Sequence, residues 1–186
     1  MDVFQYFSSQ VRLSDKETEL LSHSVRRKKF QKKDLILPVE NNSKNIYFIE
    51  EGIARVFYAQ KDKDITLYFL SENNIGLPVD SIFYNQICKF GIESLTETTV
   101  AVIPYSSWEK LAEHNAGLQK FSQKLMVNYI KNATDRIYNL KFQTPKERFE
   151  TLLSEFPSIF LKAPLGHIAS YLGITQETLS RLRAGK

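Results

Sequence analysis

The chain of 186 residues has a single cysteine, Cys88, so no disulfide can form within it, and an iron–sulfur cluster, which needs about four thiolates, is excluded. Its three histidines, His23, His114 and His167, stand far apart, and no H-x-H pair, glycine-rich phosphate loop or paired carboxylates at a strand mouth appear. Neither a metal site nor a catalytic site is therefore expected. No run approaches the roughly 20 apolar residues of a membrane span. The N-terminal Met-Asp-Val-Phe has neither the basic leader nor the apolar core of a signal peptide. The expectation is a soluble, cytoplasmic protein that is not an enzyme and has no membrane partner.

What is present suits a globular chain with one ordinary domain and a smaller one: 42% of residues are hydrophobic and 12% aromatic. The formal charge of +4 is uneven. Residues 141–186 hold seven Lys or Arg against four Glu, which is +3 of that total. A basic excess at one end is what contact with nucleic-acid phosphates uses, although many cytosolic proteins are this basic.

That end also carries the most organised stretch, PLGHIASYLGITQETLSRLR from Pro164 to Arg183. Leu165, Ile168, Ala169 and Leu172 recur at helical spacing, and Pro164 is expected at the first helical position. Gly173 is expected to stop that helix, because glycine reaches a left-handed conformation without steric cost. Ile174 then plugs the corner, and Thr175 caps a second helix. Leu179 and Leu182 should point inward, leaving Gln176, Glu177, Ser180 and Arg181 on an outer face. Small Ala169 lets the two helices cross closely. This is a helix-turn-helix pattern. An arginine can fork onto guanine, a glutamate can accept from cytosine and a glutamine can pair with adenine. The plainer alternative is an exposed i,i+4 ion pair between Glu177 and Arg181 on an amphipathic hairpin.

Upstream, Val3 to Phe7 reads as a short helix, and Ser14-Asp15-Lys16-Glu17 as a capping box opening a helix toward Val25 with Leu20 and Leu21 facing in. Arg26 to Lys29, with Lys32 and Lys33 around Phe30, is a charge run, read as a solvated strand and turn or else as a second DNA-contacting patch. From Leu35 to Ile103 the period becomes two. Strands are expected at Ile46–Ile49, Ile53–Tyr58, Ile65–Leu70 and Val100–Ile103, with turns at Glu51-Gly52, Lys61–Asp64 and Glu72–Asn74. Such strands make a sandwich, barrel or roll.

After Pro104, Ser106 or Ser107 is expected to cap a helix holding Trp108 and Leu111. Asn115 then opens a long helix through Leu140. Leu118, Phe121, Leu125 and Tyr129 form one apolar stripe, while Met126, Ile130, Ala133, Ile137 and Leu140 form a second at heptad spacing, about a quarter turn away. The first can cover the strand domain. The second calls for a partner, most economically the same helix of a second copy, or else both belong to one broad buried face of a monomer. Thr144-Pro145-Lys146-Glu147 is a further capping box, carrying Phe149, Leu152 and Leu153 to a stop before Pro157, with Thr144 the expected hinge.

The stretch from Pro164 to Arg183, and the chain upstream of it, resembles the Crp/Fnr transcription regulators. The resemblance implies an α+β chain in three parts: 1–114, an N-terminal antiparallel β-roll sensor of cyclic-nucleotide-binding type (a double-stranded β-helix); 115–143, a long dimerisation helix; and 144–186, an all-α helix-turn-helix head. It implies a homodimer reading the half-sites of a palindromic double-stranded operator, with RNA polymerase a further candidate partner. Glu177 and Arg181 become base readers, Gln176 a base or phosphate contact, and Thr175 and Thr178 phosphate contacts, with Ser180 on the same face. The sequence as given stops three residues past Arg183, before the strand hairpin of many relatives, so a truncated wing and weaker binding are expected.

The family's ligand motif, a Gly-Glu pair and then an Arg-Ser/Thr pair, falls on Gly76, Leu77, Cys88 and Lys89. Both charged contacts are missing, and Lys89 is a point charge without a bidentate fork. Cyclic AMP or GMP is thus not expected in the usual manner, and the pocket is left as empty, filled by Phe83, Tyr84 or Phe90, or reshaped for an unknown effector. The rival reading is a β-roll ligand-binding or protein-interaction module, or a metal-dependent β-roll enzyme, without specific DNA readout.

Overall fold

The computed structural model describes residues 1–60 and 63–185. Two short helices, α1 (Val3–Gln10) and α2 (Asp15–Ser24), precede strands β1 (Arg26–Phe30), β2 (Leu35–Leu37), β3 (Asn45–Glu51), β4 (Ala54–Gln60), β5 (Lys63–Leu70) and β6 (Ile75–Gly76). Helix α3 (Val79–Phe83) interrupts them before β7 (Phe90–Ser94) and β8 (Thr98–Pro104). The rest is helical: α4 (Tyr105–His114), α5 (Ala116–Phe142), α6 (Pro145–Glu155), α7 (Ile159–Lys162), α8 (Leu165–Leu172) and α9 (Gln176–Arg183). The expected turn at Lys61–Asp64 falls partly on Lys61 and Asp62, outside the described residues.

The strands form two antiparallel sheets, ordered β1-β8-β3-β6 and β2-β7-β4-β5. Burial against both the facing sheet and the covering helices explains why β3 is apolar along most of its length rather than alternating. One cluster lies between the sheets, with Ile49, Val56, Ile92 and Val100 at its centre. A second packs Phe7, Leu21, Trp108, Leu118 and Phe121 onto Phe48 and Ile103. Gly52 has φ 94°, and a Cβ there would lie 2.4 Å from the Glu97 carbonyl oxygen, so the β3–β4 turn requires glycine.

Local signals set most helix starts. Ser14 and Glu17 form the expected capping box of α2, Thr144 and Glu147 that of α6, and the Asn115 side chain accepts the Leu118 N–H at the start of α5. Three expectations fail. Leu20 is 53% exposed while Leu21 is buried, because a helix this short turns only one of two adjacent leucines inward. Helix α4 begins at Tyr105 with Pro104 at its cap, and neither Ser106 nor Ser107 caps it. Pro164 is the N-cap of α8, its extended ψ of 144° placing it just outside the helix.

Helices α6 to α9 are seated on the roll through a third apolar cluster shared by both parts. Ile53, Phe69 and Leu95 of the roll meet Leu152, Ile159, Ile168, Leu172 and Leu179 of the head. Phe69 packs edge-on against Phe156 and tilted against Tyr171, with ring centroids 6.0 and 5.1 Å away. The Thr66 backbone N–H donates to Ser170 Oγ at 3.0 Å.

Candidate nucleic-acid interface and roll interior

The helix-turn-helix of the head is made by α8 and α9. Gly173 takes the left-handed conformation at φ 66°, ψ 39° and its N–H closes α8, while the Ile174 N–H donates to the Ala169 carbonyl across the corner. Ile168, Ala169, Leu172 and Leu179 are buried, and Leu182 is half-buried. Thr175 Oγ1 accepts the Thr178 N–H at 3.2 Å, which fixes the first turn of α9. Buried Arg148 braces the pair from α6: its Nε donates to the Leu172 carbonyl at 2.8 Å and its Nη1 to the Gln143 carbonyl at 2.5 Å. Arg148 drew no attention in the sequence, since one arginine inside a charged helix gives no sign of burial.

On the outer face of α9, Thr175, Gln176, Glu177, Ser180 and Arg181 are exposed and Thr178 is half-buried. The Thr175 hydroxyl and the Glu177 backbone hold the Glu177 carboxyl below its usual range, so it presents a charged acceptor. Arg181 makes only a long contact, 3.3 Å from Nη2 to Thr178 Oγ1, and among the described residues no ion pair joins it to Glu177. The plain ion-pair alternative is therefore not formed, and beyond these local contacts to Thr175 and Thr178 both exposed side chains keep further hydrogen-bonding capacity. Gln176 leans over α8: a Cβ on Gly166 would sit 3.3 Å from its Nε2. Arg183 lies over the Phe160 ring, 4.9 Å from its centroid.

The four pocket candidates do not converge. Gly76 is buried, and a Cβ there would lie 2.6 Å from Ile92 Cδ1. Leu77 packs with the helix-side cluster, Cys88 is fully buried between the sheets, and Lys89 is exposed. Burial raises the Cys88 thiol, which keeps it protonated. Of the three aromatics considered as filling, Phe83 and Tyr84 are exposed and Phe90 alone is buried.

Three tyrosines that the sequence did not mark as pocket residues occupy this side of the roll. Tyr58 stacks edge-on against Phe90 at 6.3 Å, and Tyr68 meets Tyr129 of α5 at 6.5 Å. Burial raises all three phenols above their usual range, with Asp80 and Cys88 adding to the effect on Tyr58 and Tyr129. The signal that could have found them was positional: Tyr68 stands opposite Val56, two places before Tyr58, on the neighbouring strands β4 and β5, and both tyrosines pack against the cluster between the sheets.

On α5, Leu118 and Phe121 are buried and Leu125 half-buried, while Tyr129 at the end of the first stripe is exposed on one side. Of the second stripe, Met126, Ile130, Ile137 and Leu140 are exposed and Ala133 is half-buried, with Ile130 at 64%. Val127, Tyr138 and Phe142 widen this apolar surface.

A two-sheet roll is joined by a long helix to a head that ends in a helix-turn-helix. The cyclic nucleotide-binding domain family matches residues 27–115. The chain is 28% identical to the fumarate and nitrate reduction regulatory protein of Vibrio cholerae and 27% identical to that of Escherichia coli K12, each over 184 residues, covering 91% of this chain and 72% of the relative. Among solved structures, FixK2 from Bradyrhizobium japonicum superposes with a TM-score of 0.76 at 20% identity, covering 87% of this chain and 83% of that one. A CRP/FNR-family transcriptional regulator from Thermus thermophilus gives 0.68 at 19% identity, over 86% and 84%. Over most of its length the chain is thus similar to DNA-binding transcription regulators of the Crp/Fnr type.

Proposed function

We propose that the protein acts as a homodimer that reads a palindromic operator, with Glu177 and Arg181 as the base-reading pair of each head. What carries this reading is the outer face of α9, where a charged carboxylate and a guanidinium four residues apart stand exposed and unpaired with each other on a helix fixed at its N-terminus. Glu177 can accept from cytosine N4 and Arg181 can fork onto the O6 and N7 of guanine. Thr175 and Thr178 stand at the N-terminal turn, where hydroxyls and backbone N–H groups meet phosphate, and Gln176 and Ser180 flank the readers.

The exposed apolar stripe of α5 supports a two-fold pairing of that helix. Ile130, Ile137 and their neighbours would leave water there, each buried aliphatic side chain stabilising by roughly 1.5–3 kcal/mol. Two heads related in this way would meet half-sites about 34 Å apart. Residues 1–114 then serve as the sensor, 115–143 as the pairing helix and 144–186 as the head, turning about Thr144. Cyclic AMP and GMP are no part of the proposal. At the family's positions, Leu77, Cys88 and Lys89, the roll offers no fork for a cyclic phosphate and no carboxylate for a ribose hydroxyl.

Selection of operator-length DNA from a random pool, run with the wild type, Glu177→Ala and Arg181→Ala, tests the reading. Each variant should lose preference at one base pair of each half-site while keeping non-specific binding. Unchanged preference in both would overturn base readout by α9.

A further inference from the structure

We propose that the cleft between the roll and the reading head is a binding site for a small phosphate monoester bearing free hydroxyls, a sugar phosphate in size and chemistry. The cleft has a volume of about 310 Å³, at the small end of the range for metabolite pockets. Lys32 and Lys33 line it from the β1–β2 turn, Asp64, Glu93 and Ser94 from the second sheet, and His167 from α8.

Two orphaned polar atoms point to a missing partner. Ser94 is fully buried and its Oγ has no hydrogen-bond partner, and Nδ1 of His167 is buried and equally unpartnered. Buried polar groups without partners are few in folded proteins, and here two line one cleft. Neither belongs to the α9 face or to the tyrosine-filled interior of the roll.

The charges fit an anion at one end and hydroxyls at the other. Arg55, also in the cleft wall, is buried with four of its five N–H groups engaged: its Nε donates to Glu93 at 2.5 Å, Nη2 to Asp64 at 2.5 Å, and Nη1 to Asp64 and Thr66, which leaves no pair of N–H groups for a bidentate contact. It therefore cannot clamp an incoming anion. It does compensate the two carboxylates, whose remaining lone pairs can accept from ligand hydroxyls. Lys32 and Lys33 are exposed and, among the described residues, form no ion pair or side-chain hydrogen bond, so their ammonium groups remain available for phosphate. Lys33 holds φ 77°, its N–H donating to the Ser94 carbonyl at 2.8 Å, which pins the lysine turn against the cleft. A ligand held by Lys32 and Lys33 on the roll and by His167 on the head would favour the seated arrangement by its greater affinity for it.

Binding is read on the full chain without DNA, so the outcome is independent of whether α9 reads bases. Ribose 5-phosphate and, separately, inorganic phosphate are titrated while the imidazole signals are followed by NMR, His167 being assigned with His167→Gln. The His167 signal should shift saturably with ribose 5-phosphate while exposed His23 and His114 stay still. The apparent Kd should rise about tenfold or more in the double variant Lys32→Gln, Lys33→Asn, from loss of two charge-assisted contacts. Both replaced side chains are exposed and asparagine tolerates positive φ, so folding is kept. No saturable shift, an unchanged Kd in the double variant, or equal binding of inorganic phosphate, which would mark an adventitious ion only, each overturns the assignment.

Discussion

The packed interior around the seam and the outer face of α9 both carry arginine, yet they use it in opposite ways. Arg55 at the seam and Arg148 beneath the head are buried and donate to fixed acceptors: Glu93, Asp64 and Thr66 for one, the Leu172 and Gln143 carbonyls for the other. Burial alone would lower the Arg55 guanidinium, but the hydrogen bonds and charges of Asp64 and Glu93 outweigh it and hold it firmly protonated. Arg136 is a third case, its guanidinium 4.0 Å over the Tyr171 ring and one nitrogen donating to the Tyr171 carbonyl. On α9, Arg181 has one long contact to a hydroxyl. A buried arginine donating to several fixed acceptors fixes geometry. One with its donors free can recognise something else.

The contrast predicts where substitutions act. Exchanging Arg148 for alanine should have the largest effect on folding, about 2–4 kcal/mol, because it strips a charged donor from two carbonyls beneath the head. Denaturant titration reads it, and a loss under about 0.5 kcal/mol would show that the brace is dispensable. Next comes Ile130→Asp, which should leave the monomer's stability nearly unchanged, since Ile130 is exposed in the single chain. A charge placed in an apolar pairing face would weaken association by about a hundredfold or more. Sedimentation across a concentration series decides it, and dimers persisting in the variant would mean that another surface pairs the chains. Arg181→Ala should cost about 1–3 kcal/mol of discrimination at a single base pair with no change in folding, the reverse of Arg148→Ala. If both variants lost the same property, the distinction between committed and free arginines would fail.

Features set by local chemistry could be read from the residues: the Ser14 and Thr144 capping boxes, the Gly173 corner and the Thr175 cap each depend on neighbours within four positions. The four long apolar strand segments were equally legible. Strands β2 and β6 and helices α3 and α7 are too short to show a period, and they form because longer elements pair with them or cover them. The seam was not legible at all. Nothing near Ser170 in sequence indicates that its hydroxyl meets Thr66, 104 positions away, or that Arg55 and Glu93 stand directly across β4 and β7. Long-range pairing of polar side chains leaves no local pattern. The outer face of α9 could be anticipated because exposure on a short amphipathic helix follows from its apolar side alone.

The smallest expected effect sharpens the comparison at the point where head and pairing helix join. At the start of α6, the Thr144 backbone N–H and hydroxyl donate to Glu147 Oε2 at 2.7 and 2.8 Å, and hold that carboxyl below its usual range. A carboxylate whose folded pKa is lowered adds stability that is fully present above its unfolded value and disappears as pH falls through the folded one. Stability of the wild type should therefore decline more steeply below about pH 4.5 than that of Glu147→Gln, while the two curves run parallel at neutral pH. Thr144→Ala, which removes the cap itself, should cost about 0.5–2 kcal/mol at neutral pH and less once Glu147 is protonated. Because this junction is exposed and lies away from the α9 face, both variants should keep the operator preference of the wild type. A changed preference would mean that the Thr144 turn sets the angle of the head, and with it the spacing at which two heads can read.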